Sequence, residues 1–203
     1  MITIVDYGMG NLGSVKNMFK RIGVESIISS DISEISKADK ILLPGVGAFD
    51  AAMRKIKESG FIDILNEKAL IQQIPIMGIC LGMQLLTNKS EEGSLQGLGW
   101  IDAETVKFHF DKDSSMKIPH MGWNVINRKK DSALTKNLPS DSRFYFVHSY
   151  YVKCNEQNDI VCTTPYGHDF TSIIQRNNIF GAQFHPEKSL KFGMGILSNF
   201  SKV

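Results

Sequence analysis

The sequence lacks any long apolar run, so no segment of it is expected to span a bilayer. Its beginning, Met1-Ile-Thr-Ile-Val-Asp6, has no basic segment leading into an extended apolar one, and no signal peptide is expected. Cysteine is scarce. Cys80, Cys154 and Cys162 are an odd number and have no metal-ligand spacing. That argues against a disulfide framework or a metal site and for a reduced, cytoplasmic setting. Cys154 and Cys162 flank the polar stretch 155–159 and could face each other across a hairpin, but two reduced strand thiols is the preferred reading. Excess charge is also missing. A net charge of +2 over 203 residues does not point to nucleic acid, and the longest basic run, Arg128-Lys129-Lys130, reads as a solvated turn. Repeats, low-complexity tracts and flexible linkers are absent too, so residues 1–203 are expected to form a single domain.

What is present is an alternation of strand and helix patterns. Thr3–Asp6 reads as a strand, and Leu12–Ile22 follows with Val15, Met18, Phe19 and Ile22 on one helical face. Glu25–Ile28 and Lys40–Leu43 read as further strands, and Ala48–Leu70 as helix interrupted near Gly60. Ile74–Ile79 reads as a strand containing Pro75, and a helix starts after Cys80. This order predicts an α/β fold with a mostly parallel central sheet flanked by helices. From Gly97 to Phe184 the runs are short and β-like: Asp102–Phe108, Asn124–Asn127, Arg143–Val147, Ile160–Thr163, Thr171–Gln175 and Ile179–Phe184. They predict an added antiparallel β region that extends or flanks the parallel sheet. Leu190–Phe200 reads as a closing helix.

The sharpest local feature is Gly78-Ile-Cys80-Leu-Gly82, between an apolar strand and a helix. This spacing is the cysteine form of a nucleophile elbow. Glycines on both sides let strand and helix pass closely, and a helix N-terminus at Cys80 favours a thiolate. A cysteine nucleophile needs a base, and the base needs an orienting group. Of the five histidines, His185 lies in Phe184-His185-Pro186-Glu187 after a β-like run, where Pro186 stiffens the link to Glu187. A third element, Pro44-Gly45-Val46-Gly47, sits between strand and helix, where backbone N–H groups could face a shared cleft and stabilise an oxyanion.

Cysteine, histidine and glutamate in this order, beside a Gly-rich strand end, resemble the class I (triad) glutamine amidotransferases. Within them the chain is similar to the glutaminase subunits of imidazole glycerol phosphate synthase. The resemblance runs from Ile4 to Phe200. It is carried by Asp6-Tyr-Gly-Met-Gly-Asn11, Pro44-Gly-Val-Gly-Ala-Phe49, Gly78-Ile-Cys-Leu-Gly-Met-Gln84, Ser90-Glu-Glu92, Pro119-His-Met-Gly-Trp-Asn124, Phe146-Val-His-Ser-Tyr-Tyr151 and Gln183-Phe-His-Pro-Glu-Lys-Ser189.

The resemblance implies a glutaminase without a cofactor or metal. Cys80 is then the nucleophile, His185 the general base and later acid, and Glu187 the orienting carboxylate. Gly45, Val46, Gly47 and the N–H of Leu81 would form the oxyanion site. Gln84 and Glu92 would hold the α-amino and carboxylate end of L-glutamine, and Ser149 and Tyr150 would touch it through the backbone. Asn11, Trp123 and Lys188 would face a (β/α)8-barrel cyclase partner that receives the ammonia in a heterodimer. Without the family, Trp123 could equally be core, and no chemistry is assigned to His120. His109 and His168 are expected on surface loops. Histidine biosynthesis is the primary expectation. Phe170-Thr-Ser172 and the tail from Glu187 to Met194 look more like relatives that supply ammonia for amidination of a bacterial surface sugar. A rival class, nucleotide binding, rests on Gly8-x-Gly10-x-x-Gly13, but leaves Phe-His-Pro-Glu unexplained.

Overall fold

The computed structural model describes residues 1–111 and 115–203. In the first half β1 (Ile2–Val5), α1 (Leu12–Arg21), β2 (Ser26–Ser29), α2 (Ile32–Ile35), β3 (Lys40–Gly45), α3 (Phe49–Glu58), α4 (Phe61–Asn66), β4 (Ile76–Cys80) and α5 (Leu81–Leu85) follow one another. The second half is mostly strand: β5 (Lys89–Ser90), β6 (Ala103–Lys107), β7 (His120–Val125), β8 (Asn127–Arg128), β9 (Arg143–His148), β10 (Tyr150–Cys154), β11 (Ile160–Tyr166), β12 (His168–Arg176) and β13 (Ile179–Ala182). The last helix is α6 (Leu190–Ser201).

One sheet of 11 strands runs in the order β2-β1-β3-β4-β13-β12-β10-β6-β5, with β11 and β8 attached beside β12, while β7 and β9 form a separate pair. Strands β2, β1, β3, β4 and β13 are parallel. Beyond them β12, β10 and β6 continue antiparallel, as the sequence pattern predicts. Because the central strands are parallel, their C-terminal ends share one edge. Register sets Gly45 of β3 against Cys80 of β4, and Ala182 of β13 against Ile79. In open α/β sheets this edge is where ligands bind.

Period-two alternation sorts the sheet residues into two cores. Val5 and Leu43 pack with Phe49, Ile56 and Leu65 on one face. Their neighbours Ile4 and Leu42 pack on the other with Phe19, Phe144, Phe184 and Phe200. Helix α1 buries Val15, Met18 and Phe19, as its periodicity requires. The expected interruption at Gly60 is a left-handed residue, φ 71°, between α3 and α4.

Several elements differ from the sequence reading. Strand β4 begins at Ile76, and Pro75 stays outside it, using only its carbonyl to accept from Ile41 N at 3.0 Å. Strand β7 starts at His120, earlier than expected, because Pro119 before it and Gly122 at φ 130° mask its pattern. Strand β10 was not expected; only Val152 and Cys154 along it are buried, too few to show alternation. Cys154 and Cys162 do not face each other across a hairpin. Their strands each pair with β12, and all three cysteines are free. Nor is Arg128-Lys129-Lys130 a free turn. Arg128 donates to Thr135 O at 2.9 Å, Lys129 lies 3.5 Å from Asp169, and Lys130 bonds the carbonyls of Asn158 and Gln175.

Candidate active site

Cys80 is the last residue of β4 and the residue before α5, and its backbone is forced to φ 53°, ψ −110°. A non-glycine residue pays strain there, and such strain concentrates at functional sites. The flanking glycines make the turn possible. A Cβ on Gly82 would stand 1.7 Å from the Leu43 carbonyl oxygen, and one on Gly78 would stand 2.5 Å from Gly82 O. Both atoms are backbone and cannot step aside.

His185 arrives from the neighbouring parallel strand. Beyond Ala182 the chain is pinned by Gln183 N to Ser172 O at 2.9 Å and His185 N to Tyr145 O at 2.9 Å. Phe184 between them stacks on Phe144 with ring centroids 4.0 Å apart. Ser189 completes the clamp, donating to His185 O at 2.6 Å and accepting from Tyr145 N at 3.0 Å. His185 Nδ1 lies 2.8 Å from Glu187 Oε1, with both side chains buried. Burial alone would lower the His185 pKa. Hydrogen bonds to Cys80 and Glu187 and the negative charges of both outweigh that and push it up to about 10. Both neighbours thus favour the protonated imidazole. Glu187 Oε2 is buried with no hydrogen-bond partner among the described residues, so only one carboxylate oxygen is engaged in orienting His185.

Cys80 and His185 line a cavity of about 370 Å³ together with Val46, Gly47, Leu81, Gln84, Glu92, Ser149, Tyr150 and Lys188. Glu187 stands behind His185, outside the lining, and of the other residues expected to act on or hold the substrate all but one are brought together here. The exception is Gly45, which ends β3 opposite Cys80 and whose Cβ position is 2.6 Å from the Tyr7 hydroxyl. Close approach, not lining, is what requires glycine there. Gly47 has φ 103°, and Val46 is exposed. Gln84 is buried on α5 and donates from Nε2 to Tyr150 O at 3.0 Å and to Gln183 Oε1 at 3.2 Å. Glu92 accepts from Phe49 N at 2.8 Å, tying its loop to the start of α3. Asp50 strengthens that tie by accepting from Ser94 N at 3.1 Å and Leu95 N at 3.0 Å.

The expected partner-facing residues lie on the surface. Trp123 is 49% exposed, which removes the reading of it as core, and packs edge-on to Tyr145 at 6.1 Å. The Lys188 ammonium sits 5.7 Å above the same Tyr145 ring. Asn11 is exposed at the start of α1 and makes no side-chain cap bond. His109 and His168 are exposed, as expected, though His168 opens β12 and does not lie in a loop.

Sequence reasoning missed two groups at the site. Gln183 is fully buried and directs Nε2 at Cys80 Sγ, 3.8 Å away. It stands two residues before His185, so strand periodicity alone puts both on one side of the chain. His148 lines the cavity wall and bonds His120 at 3.2 Å. No spacing links these two histidines, which meet only through β7–β9 pairing.

The nucleotide-binding alternative fails on geometry. Gly13 has open space around its Cβ position, where a dinucleotide fold needs tight helix–strand contact, and Lys55 Nζ occupies the loop by donating to Gly8 O at 3.0 Å. Among the described residues, no group of three or more His, Cys, Asp or Glu side chains is arranged to hold a metal, and no helix is long and apolar enough to cross a membrane.

Solved structures share this architecture. The chain superposes on a crystal structure described as a glutamine amidotransferase with TM-score 0.74 and 15% identity, covering 100% of both chains. It superposes on PurLQS from Thermotoga maritima with TM-score 0.71 and 18% identity, covering 98% of this chain and 96% of that one. At such identities the likeness is one of fold. Sequence relatives are nearer. An imidazole glycerol phosphate synthase subunit HisH 2 of Methanococcus maripaludis is 56% identical over 202 residues, covering 100% of this chain and 99% of the relative. The protein of the same name in Pseudomonas aeruginosa is 47% identical over 203 residues, covering 100% of both. The model of the family described as glutamine amidotransferase class-I matches residues 3–202, and the chain belongs to that family.

Proposed function

We propose that this chain is the glutaminase subunit of an imidazole glycerol phosphate synthase, a single-domain cytoplasmic enzyme that hydrolyses L-glutamine and passes ammonia to a (β/α)8-barrel cyclase. The observation that carries the reading is His185, buried between Cys80 and Glu187 at the wall of the cavity on which Cys80 opens. The names of the sequence relatives support the histidine-pathway branch over surface-sugar amidination.

The chemistry follows from the charges. Cys80 Sγ adds to the side-chain amide carbon of glutamine, and the carbonyl oxygen becomes an oxyanion. Leu81 and the Val46–Gly47 loop line the cavity and supply the backbone N–H groups for that oxyanion. His185 holds the proton given up by Cys80 and, as acid, gives it to the departing amine so that ammonia leaves. A γ-glutamyl thioester remains on Cys80. His185, now neutral and held by Glu187, takes a proton from water, whose oxygen attacks the thioester carbon. Glutamate leaves, the Cys80–carbon bond breaks, and the starting charges return. Gln84, Glu92 and the backbone at Ser149–Tyr150 hold the substrate's α-amino and carboxylate end.

The test uses the assembled synthase. Cys80→Ala should abolish glutamine-dependent synthesis and leave synthesis from ammonium salt intact. A Cys80→Ala variant that still hydrolyses glutamine at the wild-type rate removes Cys80 from the mechanism.

A further inference from the structure

His120 and His148 are both buried, on strands β7 and β9, and stand directly opposite each other in register. Phe108, Phe146 and Phe170 pack around them with ring centroids from 4.8 to 6.4 Å. In this apolar box burial holds both imidazoles neutral, pushing His120 down to about 4 and His148 down to about 3. A neutral imidazole has one N–H and one bare nitrogen, and the neighbours decide which is which.

The decision starts at Tyr150. Its carbonyl oxygen, 2.8 Å from His148 Nδ1, only accepts, so the proton of His148 is on Nδ1. His148 Nε2 is then bare, and it lies 3.2 Å from His120 Nδ1, which must donate. That leaves His120 Nε2 bare, 3.3 Å from Asn124 Nδ2. The Asn124 amide is oriented to serve it, since its Oδ1 accepts from Val125 N at 2.8 Å and its Nδ2 also donates to Pro165 O at 2.8 Å. Every proton thus points the same way, from Asn124 through His120 and His148 to the Tyr150 carbonyl. That carbonyl also receives Gln84 Nε2, which reaches on to Gln183 and so to Cys80 Sγ. The other end of the line lies on β7, whose Met121 and Trp123 are 62% and 49% exposed.

We propose that His148 is a positioning residue for glutamine hydrolysis. Its Nδ1–H holds the Tyr150 carbonyl, and with it the Ser149–Tyr150 backbone and Gln84. His120 and Asn124 fix the tautomer that makes this possible, so the strand bearing Met121 and Trp123 is wired to the glutamine pocket. The inference rests on the glutaminase reading for its kinetic consequence, and on burial and hydrogen-bond geometry for its tautomers.

Two measurements test it separately. In 15N-resolved imidazole spectra of the wild-type chain, both His120 and His148 should be Nδ1-protonated, the minority form of free histidine. An Nε2-protonated His148 or His120 overturns the chain of bonds, whether or not the protein hydrolyses glutamine. The kinetic test uses side-chain shape. An asparagine amide sits where Nδ1 does, and a glutamine amide reaches where Nε2 does. His148→Asn keeps the bond to Tyr150 O and loses His120, while His148→Gln does the reverse. His148→Gln should raise KM for glutamine roughly tenfold with a smaller loss in kcat, and His148→Asn should restore most of that KM. A merely structural role would lower the melting temperature of both variants and leave their KM values alike, and that result overturns the proposal.

Discussion

At residue 80 reactivity is decided by surroundings, not by the presence of a thiol. Burial pushes Cys154 and Cys162 each up to about 12, whereas Cys80 opens on a cavity beside His185. A glutamine-like electrophile should therefore alkylate Cys80 ahead of the other two, as peptide mapping after partial reaction would show; equal labelling of all three contradicts the assignment. His185→Ala should lower kcat/KM on the order of 10²–10⁴-fold, and Glu187→Gln less, since the amide oxygen can still accept from Nδ1. Steady-state glutamate release measures both, and wild-type rates in both variants would falsify the triad. The buried histidine pair sets an acid limit. Unfolded histidines titrate near about 6.5. Below that pH the unfolded chain binds protons that folded His120 and His148 refuse, so stability falls as pH drops from about 6.5 toward their folded values of about 4 and about 3. The depressed carboxylates Asp31, Asp39 and Asp50 add their loss only below the ordinary aspartate range, and Asp159, raised by burial, acts with the opposite sign. Urea midpoints at pH 7 and pH 5 should differ less for His148→Asn than for wild type; an unchanged difference removes His148 from the acid limit. The triad was legible because its local motifs keep each residue beside its own support. Gln183 and the His120–His148 pair were not, because their partners are distant in sequence and only sheet pairing joins them.

At the scale of elements the site depends on two strand ends being held in register. Gly82 is where α5 crosses β3, and a methyl group there meets the Leu43 carbonyl. Gly82→Ala should break the elbow, with loss of both stability and Cys80 alkylation, whereas Gly13→Ala, with open space at its Cβ position, should be tolerated. Phe184 does for the histidine segment what Gly82 does for the cysteine. It is fully buried against Phe144, and Phe184→Ala should cost about 3–5 kcal/mol in urea unfolding. A loss below about 1 kcal/mol would mean that the segment is held by its backbone bonds alone. The parallel half of the sheet was readable because βα alternation and apolar runs are strong signals. The antiparallel half was read only in outline. Strand β10 carries few buried side chains, β7 begins beside a proline, and α2 and β5 are 4 and 2 residues long, below what periodicity resolves.

For the whole molecule the question is how a glutaminase avoids firing without an acceptor. The surface that would meet a barrel partner is already joined to the catalytic machinery. Trp123 packs on Tyr145, Lys188 lies over the same ring, and the Tyr145 carbonyl holds His185 N. A second joint is the Val46–Gly47 loop. Gly47 sits at φ 103°, with the Met9 methyl 2.8 Å from its Cβ position, so the loop is both conformationally free and crowded. A peptide flip there would turn an N–H toward or away from the oxyanion. Such a flip needs only a few kcal/mol between two loop states to act as a switch. The isolated chain should accordingly hydrolyse glutamine slowly. A cyclase partner with its acceptor bound should raise kcat more than it lowers KM, because an oxyanion donor acts on the transition state. Gly47→Ala should blunt that rise at saturating partner. Trp123→Ala should instead raise the partner concentration needed for half-activation while keeping the plateau, since an exposed aromatic anchors docking without touching glutamine. Titrating glutamate release against partner concentration separates the two effects. Full activity of the chain alone, unchanged by any partner, would sink the gated loop and leave an independent glutaminase.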